Sequence, residues 1–341
     1  MVSGSIKAVL HKVAAGETLA EDEMRDALEI MTAGEATTAQ MGAFLMGLRV
    51  RGETVPEITA AAKLMRAKMI RISAAHDAID IVGTGGDGLN TFNVSTCAAL
   101  VAAGAGVKIA KHGNRSVSSL SGSSDVLAAL GVTLDGPPSV VERCVEEAGA
   151  GFLWAPLYHP AMKVWAPVRA ELGVRSIFNL LGPLTNPASV KRQVVGVFAR
   201  HWVEPIAHVL KNLGSQHAWV VHGHDGLDEV STTGPTSVAE LRDDAITLFE
   251  ITPEDAGLER TTLAELKGGD AKVNAAALRQ VLAGKSGAYR DIVLLNTAAA
   301  LVVAGQAASL ADGVTRAARS IDSGAASRAL ERLVACSASR P

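Results

Sequence analysis

From Ala78 onward, short apolar runs of strand length alternate with segments of helical periodicity, and before that residue no strand pattern occurs. The strand-like runs fall at 78–82, 107–110, 151–154, 193–198 and 218–222, with helical segments at 124–130, 139–147 and 204–213 between them. Such alternation builds a largely parallel sheet covered by helices, an α/β fold. Residues 1–72 read instead as helices only. Leu19, Met24, Ala27, Leu28 and Met31 recur at helical spacing behind Thr18, a candidate N-cap. Residues 40–50 carry a second apolar face, and 58–69 a third, opened by Pro56. The C-terminal third returns to helices, clearest over 288–304. No repeat or low-complexity tether divides the chain, so the boundary near 72–78 is a change of pattern. At 341 residues there is room for about two domains.

With 48% hydrophobic residues but only 4% aromatic, the core must rest on Ala, Val, Leu and Ile. Lys and Arg number 32 against 35 Asp and Glu, a net charge of −3, which argues against a dedicated nucleic-acid binder. Mean hydropathy is +0.23, yet the longest apolar stretch, 292–308, is interrupted by Asn296, Thr297 and Gln306. It falls short of the ~20 residues a bilayer span needs and reads as a buried helix. Lys7, His11 and Lys12 sit where an export signal needs an apolar core. Cys97, Cys144 and Cys336 form no paired framework, which fits a reducing compartment. The expected location is the cytoplasm.

The strand over 78–82 runs into Gly83, Gly85, Gly86 and Gly88, and Asn93, Ser95 and Thr96 then open a helix. Glycines let a ligand approach the backbone, and a helix N-terminus offers unpaired N–H donors at a positive dipole end. Together they suit an anion such as phosphate; the plain alternative is a capped strand–helix turn. Gly83, Gly85 and Gly88 match the dinucleotide fingerprint by spacing, but its acidic ribose partner is missing: no Asp or Glu occurs from Gly88 through Ser124. No Lys-Ser/Thr follows Gly88 either, which removes the ATP-type phosphate loop. The acid-free window holds Lys108, Lys111, His112 and Arg115, a local positive field.

A second loop, 111–125, follows the next strand with two cations, an Asn, six hydroxyls and two glycines. Loops on two neighbouring strand ends face one crevice, where open α/β sheets bind ligands. Two loops suggest a pyrophosphate or a sugar bearing several phosphates. Asp125 reads as a helix N-terminal residue. Asp228 and Glu229, loosened by Gly223 and Gly226, could hold Mg2+ beside phosphates, although an isolated acidic pair is commonly just a turn. His222 and His224 give a weak zinc hint that the phosphate reading outweighs. Arg169 and Arg175 are candidates for gripping a carboxylate, or plain surface cations or partners of Glu171.

Six segments occur together and in order: Gly83-Thr84-Gly85-Gly86-Asp87, Asn93-Val94-Ser95-Thr96, Lys111-His112-Gly113-Asn114-Arg115, Ser121-Gly122-Ser123, Arg169 with the run 178–187, and Gly226-Leu227-Asp228-Glu229. On these the chain resembles the anthranilate phosphoribosyltransferase family over nearly its whole length. That resemblance implies Mg2+-dependent transfer of phosphoribose from phosphoribosyl pyrophosphate (PRPP) to anthranilate, releasing pyrophosphate, the second step of tryptophan biosynthesis from chorismate. It also implies a small all-helical domain plus a larger α/β domain with a mostly parallel sheet, an architecture shared with nucleoside phosphorylases. The helical domain would span 1–72 and take in helices around 157–182; 73–156 and 183–341 would form the α/β phosphoribosyl-binding domain. A homodimer through the helical domain is implied, with no nucleic-acid or membrane partner.

By the same resemblance, PRPP contacts are Gly83, Gly86, Asp87, Thr91, Asn93, Val94, Ser95, Thr96, Lys111, His112, Gly113, Asn114, Arg115, Ser116, Val117, Ser118, Ser119 and Ser123. Anthranilate contacts are Gly83, Asn114 and Arg169. Two Mg2+ ions are implied, one at Ser95 with Glu229 and one at Asp228 with Glu229. Leu120 departs from the pattern, standing where many relatives carry Lys. A weakly basic aromatic amine is neutral at pH 7 and needs positioning more than activation, so no general base is required; His112 is the nearest candidate. Two alternatives remain: a nucleoside phosphorylase, opposed by the second loop and the acidic pair, and a non-catalytic nucleic-acid-binding paralogue, opposed by the net charge.

Overall fold

The computed structural model describes residues 5–115 and 120–339. Four helices come first: α1 (Ile6–Ala14), α2 (Glu21–Thr32), α3 (Thr38–Arg51) and α4 (Val55–Lys68). The cap of α2 is Ala20, not Thr18. The chain at Leu19 is held extended, its N–H donating to Glu57 Oε1 at 2.9 Å, and Glu23 reaches back to the Ala20 N–H at 3.0 Å. Three carboxylates in the first turn then favour the helix dipole. The later helix Met162–Leu172 packs on this bundle, with Trp165 buried and donating through Nε1 to Thr32 Oγ1 at 3.2 Å.

The larger part is a seven-stranded sheet: β1 (Ile79–Gly83), β2 (Ile109–Gly113), β3 (Ala150–Trp154), β4 (Arg192–Gly196), β5 (His217–Gly223), β6 (Thr236–Arg242) and β7 (Ala245–Ile251). Their order is β3-β2-β1-β4-β5-β6-β7. The first five strands are parallel; β6 pairs antiparallel with β5, and β7 antiparallel with β6. The hairpin β6–β7 lies within the part of the chain expected to be helical. Its turn is Asp243-Asp244, both with positive φ (49° and 66°), without the glycine that usually marks such a turn. β7 is a largely exposed edge strand; of its residues Ile251 is buried, and Phe249 and Ile246 pack at the margins of the cores.

Alternation along the strands divides two cores. Ile79, Ile81 and Ile109 face α5 (Val94–Gly104) and, beyond it, the helix Ala288–Val303; Val82, Val195 and Val220 face the helical bundle side and the helix Val203–Asn212. The chain leaves β1 for β2 on one side and returns to β4 on the other. The order therefore reverses at β1, and a crevice opens outside the carboxyl ends of β1 and its neighbours. Among the described residues no helix is long and apolar enough to cross a membrane.

Candidate active site

β1 ends in the crevice, where Gly85, Gly86, Gly88 and Asn90 all adopt positive φ. Gly83 itself is required by proximity: a Cβ there would collide with the Asp228 carboxylate, and one at Gly196 would run into the Asp228 backbone carbonyl. Strand ends without side chains thus admit the acidic turn between them. The loop is drawn toward the end of the neighbouring strand β4 by Thr84, whose N–H donates to Gly196 O at 2.9 Å and whose Oγ1 accepts from Phe198 N at 3.0 Å.

Asp228 is buried and accepts from Gly85 N at 2.7 Å; Glu229, half-buried at the cleft, accepts from Ser95 N at 3.1 Å. The helix α5 has no side-chain cap of its own at Asn93, so Glu229 supplies one from afar. Lys111 crosses beneath, its Nζ donating to Ile81 O and, at 3.2 Å, to Ser95 Oγ. Burial pushes the Glu229 carboxyl up to about 8, helped by the Asp228 charge, and Asp228 up to about 6, helped by Asp87. Burial lowers Lys111. Two carboxylates this unfavourable to ionise, with Ser95 Oγ beside them, form an all-oxygen set that suits a hard divalent cation. Among the described residues no three His, Cys, Asp or Glu side chains converge on one point, so a cation held here would need further oxygens from outside the protein's acidic side chains. Thr96 Oγ1, in the same helical turn, is buried with no partner among the described residues.

The pair is anchored from behind by Asn296. Its Oδ1 accepts from Val230 N at 2.9 Å and its Nδ2 donates to Val230 O at 2.8 Å. The polar residue that interrupts the apolar stretch therefore holds the chain next to Glu229. His222 and His224 turn away, toward Val197 O at 2.7 Å and toward Ser237 and Glu250 respectively, which removes the zinc hint.

The second loop leaves β2 at Gly113, where a Cβ would collide with Ser123 Oγ. Ser123 Oγ donates to Asn114 O at 3.3 Å, and the Arg115 guanidinium lies 5.6 Å from the Trp154 ring centre and 3.7 Å from Asp125. Asp125 stands in the first turn of Ser123–Ala129, accepting from Gly122 N at 2.9 Å. Ser116, Val117, Ser118 and Ser119 lie outside the described residues. Leu120 is 67% exposed.

The positive field of the acid-free window is smaller than its composition implied. Lys108 lies at the opposite end of β2, bonded to Glu146 O. His112, one residue from Lys111, points to the other face of the sheet, as strand alternation demands. Its Nδ1 contacts Gly182 O at 3.0 Å and its Nε2 contacts His159 Nε2 at 3.1 Å. Burial, reinforced by His159, depresses His112 to about 3, so it is neutral and both ring nitrogens are engaged within the protein.

Arg169 is half-buried on Met162–Leu172 with its guanidinium 5.5 Å from the Phe178 ring centre. Among the described residues no carboxylate pairs with it, Glu171 included, and no hydrogen bond joins it to Gly83 or Asn114. Arg175 does reach the first loop: its Nη2 donates to Gly86 O while its guanidinium stacks 4.6 Å from the Phe198 ring centre. The sequence offered no means of ranking Arg175 above Arg169, because the contact depends on how 173–176 crosses from the helical side to the sheet.

A helical bundle joined to an α/β sheet whose glycine loops and acidic pair meet at one crevice is the arrangement of a phosphoribosyl-type glycosyl transferase. Residues 7–69 match the glycosyl transferase family, helical bundle domain, and residues 75–327 match the glycosyl transferase family, a/b domain. Anthranilate phosphoribosyltransferase of Rhodopseudomonas palustris (strain TIE-1) is 62% identical over 332 residues, 97% of this chain and 98% of the relative. The crystal structure of anthranilate phosphoribosyltransferase from Thermus thermophilus superposes with a TM-score of 0.91 at 45% identity, covering 97% of this chain and 99% of that one. The Saccharomyces cerevisiae enzyme in complex with PRPP and Mg matches with a TM-score of 0.91 at 31% identity, covering 98% of each chain. The chain belongs to the anthranilate phosphoribosyltransferase family.

Proposed function

We propose that the chain transfers phosphoribose from PRPP to the amine of anthranilate, and that its crevice holds both substrates with Mg2+. The observation that carries this reading is the meeting of Gly85, Ser95, Asp228 and Glu229 at the reversal point of the sheet. The amides of the first loop and of α5 are the donors for the pyrophosphate oxygens, with Lys111 and Arg115 offsetting its charge. The Asp87, Thr91 and Asn93–Thr96 side of the crevice takes the donor, and the second loop through Ser123 closes on it. Asp228, Glu229 and Ser95 would hold Mg2+, as two ions sharing Glu229. When bound, Mg2+ neutralises charge on the departing pyrophosphate.

The amine lone pair forms the bond to ribose C1 as the bond from C1 to the pyrophosphate oxygen breaks. The electron pair leaves with that oxygen, and the amine proton is released afterwards. Displacement at an anomeric carbon passes through an oxocarbenium-like state, so positioning and leaving-group stabilisation supply most of the acceleration. His112 is not needed as a base and is not free to act as one. Arg169, desolvated and without a carboxylate partner, is the residue for the anthranilate carboxylate, with Gly83 and Asn114 lining the approach. The helical domain takes in the helices around 157–182, and the active form is a cytoplasmic homodimer joined through it.

Anthranilate fluorescence tests the reading. Emission should fall when PRPP and Mg2+ are both supplied and stay constant when either is omitted. A fall without PRPP, or none with both, contradicts it.

A further inference from the structure

Asn274 belongs to no segment that pointed to function, yet its side chain is buried between the two donor loops. It stands near the start of the helix Ala271–Leu282. Its Nδ2 donates to Asn93 Oδ1 at 2.9 Å and to Ser121 Oγ at 2.9 Å, and its Oδ1 accepts from Gly269 N at 2.7 Å. With both ends engaged, the amide has one orientation. The strap before it is bonded to the first loop as well: Phe92 N donates to Leu266 O at 3.0 Å and Gly268 N to Asn90 O at 2.9 Å. A Cβ at Gly268 would lie 2.7 Å from Asn274 Oδ1 and 2.8 Å from Thr91 O, so the strap passes too close for any side chain.

The consequence falls on Asn93. Its Oδ1 receives Asn274 Nδ2 at 2.9 Å and lies 3.3 Å from the Ser121 hydroxyl, whose single proton is also within reach of Gly269 O at 3.4 Å. Its Nδ2 donates one N–H to Ser121 O at 3.4 Å, which leaves the second to offer, and an N–H attracts a phosphate oxygen where a carbonyl would repel it.

We propose that Asn274 is a positioning residue for the phosphoribosyl donor: it sets the Asn93 amide with its N–H end toward the ligand and ties the second loop to the first at Ser121. The proposal rests on the reading of Asn93 as a PRPP contact. An isosteric pair of variants separates polarity from packing. Asn274→Asp places an acceptor against Asn93 Oδ1 and forces that amide to turn over, whereas Asn274→Leu removes the donors and leaves the amide free to turn either way.

Steady-state kinetics should show the KM for PRPP raised about tenfold or more in Asn274→Asp. The rise in Asn274→Leu should be smaller but clear, and the KM for anthranilate should stay within about twofold of wild type in both. A PRPP KM within about twofold of wild type in Asn274→Asp overturns the proposal, as does a larger rise in Asn274→Leu. Thermal melts identify a variant that does not fold; if Asn274→Asp is that variant, an unchanged PRPP KM in Asn274→Leu overturns the proposal by itself. Wild type runs in the same assay. No product from wild type defeats the functional reading and this proposal with it, whereas product from wild type with the variants in the wrong order defeats the proposal alone.

Discussion

The Glu229 carboxylate accepts the Ser95 amide at 3.1 Å, capping α5 from 134 residues away in the chain. One side chain thus satisfies a helix end and presents its carboxyl to the crevice, where a bound cation would favour the ionised form. Glu229→Gln keeps an oxygen for the Ser95 amide and removes the charge. It should lower kcat by about 10²-fold or more while the melting temperature stays near that of wild type. Wild-type kcat in a folded variant would remove Glu229 from the metal site.

Arg175 pins the first glycine loop through Gly86 O and stacks on Phe198. Arg175→Ala should loosen that loop and raise the KM for PRPP by about tenfold. Arg175→Lys should restore little, because an ammonium lacks the planar face that stacks. Full rescue by Lys would show that charge alone matters there.

Arg169 is held over Phe178 at the helical side of the crevice. Breaking a guanidinium–carboxylate hydrogen bond in a half-buried site costs roughly 1.5–3 kcal/mol. Arg169→Ala should therefore raise the KM for anthranilate by at least about tenfold while the KM for PRPP moves little. Equal rises in both would instead indicate a general collapse of the cleft.

The His112–His159 pair makes the fold sensitive to acid. Burial holds His112 down to about 3 and His159 down to about 4, against 6.5 for an ordinary imidazole. Below 6.5 the unfolded chain binds protons that the folded chain refuses. Stability is therefore complete above pH 6.5 and falls as pH drops through 4, and for His112 on toward 3. The slope approaches about 1.4 kcal/mol per pH unit for each imidazole. Urea midpoints at pH 7, 6 and 5 should fall less steeply in His159→Gln than in wild type; parallel curves would contradict the assignment.

Much of this was legible because local chemistry and tertiary position agree. The Gly83–Gly88 loop, the hydroxyls and cations of 111–125, and the Asp228–Glu229 pair all need special residues at strand ends, and parallel strands bring those ends together. The hairpin β6–β7 was hidden, because Asp243 and Asp244 adopt the turn without glycine and β7, an edge strand, is mostly exposed. Lys108 and His112 misled for the opposite reason. Composition counts charges, whereas one sits at the wrong end of β2 and the other on its wrong face. Asn296 and Asn274 were invisible as site residues because their meaning lies in partners 66 and more than 150 positions distant.

Crystals of the wild-type chain soaked with PRPP and Mn2+, the latter in place of Mg2+ for its anomalous signal, test the central claim. The account predicts pyrophosphate density against the amides of Gly86–Asp87 and the first turn of α5, with two anomalous peaks, one at Asp228 and Glu229 and one at Ser95 and Glu229. Donor density bound away from this crevice, or metal peaks remote from the acidic pair, would contradict it.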